Sequence, residues 1–177
     1  IDYSGYTWRV IGKEEDGTTK IVMNDIIKED YQIITTSFDD ENNYYNPNKK
    51  TNIGYKITNN ISKYINTKAF TNKNIEVYSY KDKVSYQSTN NVKKYKTKLE
   101  EVSLFDLYST SPVTTYWYRE SNSKGIVYNN SPMGDIYEEQ IKTSEPYPIK
   151  LTANLNKNIT IKSGNGTSQS PYSIAVR

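Results

Sequence analysis

The chain contains no cysteine and no histidine. The first absence removes disulfide frameworks and thiolate metal sites. The second removes the usual base of a nucleophile–base pair and the commonest zinc ligand, so the standard hydrolytic triads and zinc-hydroxide chemistry lack their parts. Glycine is scarce, eight in 177 residues, and no linker rich in Gly, Ser or Pro divides the chain. No apolar run approaches the about 20 residues of a membrane-spanning helix, so no span is expected, and no signal peptide is recognised. The first residue is Ile1 rather than Met, and a leader or neighbouring segment is expected to have been removed. A field of one sign is also missing: 23 basic and 20 acidic residues leave a net charge of +3. That balance does not suit a committed nucleic-acid binder, and no nucleic-acid partner is expected.

What the chain has in abundance is tyrosine. Only 34% of residues are hydrophobic and the mean hydropathy is −0.85, values that alone point toward disorder. Eighteen Tyr, two Trp and three Phe supply large buried areas at small rotamer cost. A length of 177 residues suits one core better than two, so a single domain over residues 1–177 is expected.

Along the chain, "YTWRVIGKEEDGTTKIVMND" reads as a hairpin, with Tyr6, Trp8 and Val10 alternating before the Asp16-Gly17 turn and Ile21 and Met23 after it. "YQIITTSF" reads as a third strand running into the polar loop "DDENNYYNPNKK". Ile53, Ile57, Ile61 and Ile65 then recur every four residues, with Tyr64 at an i+3 position, which predicts one main helix over about residues 51–66. Alternating Tyr and Val from Ile75 to Lys98 suggest short strands, and Ser103 stands as an N-cap after a β-like start. "TTYWYRE", "GIVYNN", "DIYEEQI" and "PIKLTANL" predict a four-stranded meander. The expected class is α+β.

Near the end, Gly164-Asn165-Gly166-Thr167 lacks the lysine of a phosphate loop and does not open a helix. Two glycines at positive φ around Asn165, followed by Pro171, predict a reversal into an extended segment.

These residues carry a resemblance. Tyr3-Ser4-Gly5, Trp8-Arg9-Val10 and Asp16-Gly17-Thr18 open the chain; Pro148-Ile149, Leu151, Ser163-Gly164-Asn165-Gly166-Thr167 and Pro171-Tyr172 close it. In order and spacing both ends resemble an uncharacterised family of extracytoplasmic domains of Gram-positive bacteria, with a weaker match at the isoleucine stripe and Val102-Ser103-Leu104. The resemblance implies a C-type-lectin-like fold, distantly similar to formylglycine-generating-enzyme domains, with N- and C-terminal strands paired in a small twisted antiparallel sheet and long loops. Those enzymes work through cysteine, which this chain lacks, so their activity does not carry over. Tyr147 stands where the family usually has arginine.

Acidic residues offer two clusters. Asp135, Glu138 and Glu139, or Asp39, Asp40 and Glu41, have the residue type a sugar hydrolase needs, yet neighbouring acids on a strand face opposite sides and solvated edge charges account for them. No enzyme is expected. Asp39, Asp40 and Glu41 are also weak calcium candidates, since C-type lectins often use loop calcium, although EF-hand spacing is absent. Otherwise no cofactor or metal is expected. Lys93, Lys94, Lys96 and Lys98 around Tyr95 suit an anionic polymer or a solvated strand. The Asn-x-Ser/Thr triplets at Asn60, Asn129, Asn158 and Asn165 have the form of glycosylation acceptors, which an Asn- and Thr-rich chain also makes by chance.

Tyrosine points to ligand binding. A strand would place Trp117 on one face and Tyr116 and Tyr118 on the other, and such aromatic platforms stack on sugar rings or pack on protein. Tyr44 and Tyr45 in the polar loop and Tyr147 complete the expected site. An AT-rich coding sequence would enrich Tyr, Lys, Asn and Ile together, and both explanations stand. The expected function is a non-catalytic adhesion or binding module at the cell surface, recognising a surface glycan or protein. The alternatives are a structural piece of a surface or pilus assembly and a carboxylate-dependent glycan hydrolase.

Overall fold

The computed structural model describes residues 1–40, 45–77, 93–101, 116–117, 127–128, 136–137 and 143–177. Alternation near the N-terminus produces three successive antiparallel strands, β1 (Asp2–Tyr3), β2 (Tyr6–Lys13) and β3 (Thr19–Met23), with Trp8 opposite Met23 and Val10 opposite Ile21. The Asp16-Gly17 turn forms as predicted. Asp16 Oδ1 accepts from the Thr18 hydroxyl and amide at 2.6 and 2.8 Å, and Gly17 takes φ +82°. Those two bonds, helped by the charge of Lys157, hold the Asp16 carboxyl below its ordinary pKa.

The expected third strand breaks into pieces. β4 (Lys28–Glu29) and β5 (Gln32–Ile33) make a hairpin of their own, while β6 (Thr35–Thr36) pairs elsewhere. The isoleucine stripe is buried along its whole length, but regular helix α1 covers only Ile53–Asn59 and a 3₁₀ turn follows at Ile61–Lys63. Side chains that compete for backbone groups explain the shortening: Thr58 Oγ1 donates to the Gly54 carbonyl and Asn59 Nδ2 to that of Tyr55. A second 3₁₀ turn, Thr67–Ala69, leads to β7 (Lys73–Val77), which pairs with β8 (Lys93–Thr97). The lysine run is therefore one strand of a hairpin, with Lys94 paired to Glu76 at 2.9 Å and Tyr95 packed against the core.

After β9 (Leu99–Glu101), the short strands β10 (Tyr116–Trp117), β11 (Val127–Tyr128) and β12 (Ile136–Tyr137) form a three-stranded meander. The predicted fourth member does not join it. Residues 147–155 split into β13 (Tyr147–Pro148), which pairs with β6, and β14 (Leu151–Leu155), which inserts between β3 and β9. The chain closes with β15 (Ile159–Ser163) and β16 (Ser173–Val176).

The main sheet is mixed and seven-stranded, in the order β15-β16-β1-β2-β3-β14-β9. β16 lies parallel to β1, with Ser173 opposite Asp2, and the other pairings are antiparallel. First and last strands are thus neighbours, and Trp8 and Leu151 sit in one sheet. Trp8, Met23, Leu151 and Ala153 pack with the isoleucine stripe, Phe38 and Phe70 into one cluster. Phe70 meets Trp8 and Tyr3 edge-on, with ring centroids 5.3 and 5.5 Å away.

β14 is buried on both faces. Alternate positions Val22, Thr152 and Glu100 lie in register on the other side, and all three are buried. There the Lys73 ammonium pairs with Glu100, the Thr152 hydroxyl donates to Glu100 Oε1 at 3.3 Å, and Asn154 Nδ2 donates to Thr18 Oγ1 at 2.9 Å.

Candidate functional site

Two tight hairpin tips stand beside each other. Tyr3 pairs with Tyr6 across Ser4-Gly5, whose φ values are +56° and +79°; Glu29 pairs with Gln32 across Asp30-Tyr31, at +48° and +66°. Positive φ at both central residues is the type I′ signature, which matches strand twist and normally selects Asn, Asp or Gly. Tyr31 breaks that preference. A bulky side chain in the left-handed region costs about 1–2 kcal/mol, and this ring is also 99% exposed.

Between the tips runs a groove of about 660 Å³, lined by Tyr6, Asn24, Asp25, Lys28 and Tyr31 among others. The β4–β5 hairpin is fixed at its base. The Tyr6 hydroxyl donates to the Lys28 carbonyl at 3.0 Å and accepts from the Lys28 amide at 3.3 Å, and the Tyr64 hydroxyl donates to Glu29 Oε2 at 3.2 Å. Asp25 accepts from the Ile26 amide at 2.8 Å through Oδ1 and pairs with the Lys28 ammonium through Oδ2. Burial pushes the Asp25 carboxyl up, but the bonds from Lys28 and Ile26, with the charges of Lys28 and Lys150, outweigh it and leave the pKa below its ordinary value. The groove thus offers a fixed carboxylate acceptor, an ammonium donor, the Asn24 amide and an aromatic face.

Lys150, just ahead of β14, is fully buried. Burial and the Arg9 guanidinium push its pKa from 10.5 down to about 8, against the pull of Asp25. Between those values the unfolded chain holds a proton that the folded chain has released, so this lysine makes stability rise with pH there, and the gain is lost as pH falls through about 8. The unfolding free energy of the wild type minus that of Lys150→Met is expected to climb by about 1.4 kcal/mol per pH unit inside the window. Urea denaturation over a pH series reads it; a flat difference would mean that the ammonium titrates as it does in water.

The residues singled out in the sequence fare differently. Tyr45, expected in an exposed loop, is fully buried and belongs to the core. Its ring is apolar ballast for α1 and is not a surface contact. Asp39 is buried too, because the loop folds inward onto the start of the helix. Asn52 caps α1 through its Oδ1, which accepts from Gly54 and Asn46 amides at 3.0 and 2.8 Å, while its Nδ2 donates to Asp39 Oδ2 at 2.7 Å. The Lys49 ammonium stands between the two carboxylates, 2.9 Å from Asp39 Oδ1 and 3.2 Å from Asp40 Oδ1. Among the described residues, no group of three or more Asp or Glu is placed to hold a metal ion.

Tyr147 is half-buried in β13, opposite Thr36, and packs against the core. The backbone of Tyr116 lies in β10; its side chain, and Glu41, Tyr44, Tyr118, Asp135, Glu138 and Glu139, lie outside the described residues. Tyr31 was read as the start of a strand. The signal for it was Asp30, a residue tolerant of the left-handed region between two short alternating stretches. No protein-family model, curated protein or solved structure matches the chain.

Proposed function

We propose that the chain is a non-catalytic, extracytoplasmic binding module with a C-type-lectin-like fold, which recognises a surface glycan through the groove at Tyr31. Closure of the sheet by the first and last strands, with one helix packed against it, supports the fold. The observation that carries the function is Tyr31, a fully exposed aromatic ring held in a conformation that glycine would adopt without strain. Backbone strain clusters at active sites, ligand clamps and switch regions, where it is part of the mechanism. Beside it stand Asp25, Lys28 and Asn24, groups suited to accept from and donate to sugar hydroxyls while the ring stacks on an apolar sugar face. No helix among the described residues is long and apolar enough to cross a bilayer.

Tyr31→Gly separates strain from function. It is expected to raise stability by about 1 kcal/mol by relieving the turn, and at the same time to abolish binding on a glycan array. Tyr31→Ala should abolish the same signals with little change in melting temperature. Undiminished array binding in both variants, or no glycan bound by the wild type, would remove the proposal.

A further inference from the structure

The groove has a neighbour on the other side of Asn24. Thr7 and Asn24 also line a second depression of about 330 Å³, whose far wall is the loop of Gly166, Thr167 and Ser168 together with Tyr172. We propose that the two depressions are adjoining subsites of one cleft that takes a linear neutral oligosaccharide, one ring against Tyr31 and a following ring against the Tyr172 wall. This rests on the glycan function proposed above and extends it to chain length and charge.

Size comes first. Small-molecule sites span about 300–1,000 Å³, so each depression matches a compact ligand unit, and Thr7 and Asn24 line both. The second wall is preorganised. Asn165 and Gly166 amides both donate to the Ser170 carbonyl at 2.9 and 3.0 Å, and Thr167 donates to Asn165 Oδ1 through amide and hydroxyl at 3.1 and 2.8 Å. A β-carbon on Gly166 would lie 2.6 Å from the Tyr172 ring, so the ring rests directly on the loop backbone. A wall that is already ordered loses little entropy when a ligand arrives.

Charge and topology narrow the occupant. Both signs line the cleft, with Asp25, Asp30 and Lys28 in the first depression and Arg9 in the second, so a polyanion meets repulsion as well as attraction. A peptide joining by strand addition needs a free strand edge. β1 already lies between β16 and β2, and β2 between β1 and β3, so neither strand of the main sheet at the cleft offers one. Repeating rings with hydroxyl rims and no net charge fit these conditions.

The test is an array of linear oligosaccharides graded from single sugar to hexasaccharide, neutral series built from glucose, mannose, galactose and N-acetylglucosamine beside acidic series containing uronic or sialic acid, probed with the whole chain. Apparent affinity is expected to rise at least about tenfold from the single sugar to the trisaccharide in the bound series. Ser168→Trp, at an exposed position, should fill the second depression and erase that gain while leaving the single-sugar signal, with an unchanged melting curve as the folding control. Affinity that is flat with length, but still lost in Tyr31→Ala, would overturn the second subsite and leave the glycan function standing. Binding to acidic glycans alone would overturn the neutral assignment, and no binding at all would remove both.

Discussion

Glu100→Ala is expected to destabilise the protein by about 3–5 kcal/mol, the usual cost of leaving one partner of a buried ion pair alone. Glu100 is wholly buried in β9, and the Lys73 ammonium paired with it is 12% exposed. Thr152 adds a hydrogen bond to the same carboxylate. Against a total stability of about 5–15 kcal/mol for a domain, the loss should move the urea midpoint far down with little change in slope. The control is Lys73→Met with Glu100→Leu, which removes both charges and should recover most of the lost stability, since isosteric apolar replacement of a buried pair is commonly near neutral. A single variant as stable as the wild type would show that Glu100 is reached by water.

Gly164→Ala is expected to cost nearly as much. Gly164 sits at φ +91°, and a β-carbon there would stand 2.1 Å from the Pro171 carbonyl oxygen. A backbone carbonyl held in a turn has no rotamer through which to escape, so the loop itself must move. The left-handed conformation adds about 1–2 kcal/mol and overpacking about 1–3 kcal/mol. Gly166→Ala provides the comparison: its obstacle is the far end of the Tyr172 ring, which can swing away. Thermal melts should therefore rank Gly164→Ala well below Gly166→Ala, and equal melting temperatures would show that the loop is loose.

The same glycines show what the sequence makes legible. Spacing alone places a reversal between Ser163 and Pro171, because the two glycines around Asn165 reach the positive φ that a tight turn needs, and the hairpin partners Trp8 and Met23 follow from alternation. The isoleucine stripe named the buried face of the helix correctly, but not where regular geometry stops, which Thr58 and Asn59 decide by bonding to the backbone. Long-range partners left no local mark. "PIKLTANL" reads as the next strand of a meander, whereas β14 is claimed by β3 and β9, strands far away in the chain.

The site was the least legible part. Asp39 and Tyr45 look solvated because their neighbours in sequence are polar, yet Lys49 and Asn52 fold back over Asp39 and make it a buried brace for the helix, while Asp40 beside it is exposed. Tyr31 was hidden for the opposite reason. Its neighbours "QII" made it part of a strand, and only the pairing of Glu29 with Gln32 shows that it crowns a two-residue turn.

The parallel alignment of β1 with β16 has a mechanical side. The Asp2 amide donates to the Tyr172 carbonyl at 2.8 Å, and β1 begins where the chain enters while β16 runs in the same direction toward the exit. Tension applied to the two ends would slide these strands lengthwise past each other and load the Asp2–Ser173 pairing in shear instead of peeling it open like a zipper. Single-molecule stretching should register rupture above the force that peels a hairpin, whereas rupture at that lower force would show that the load bypasses this seam.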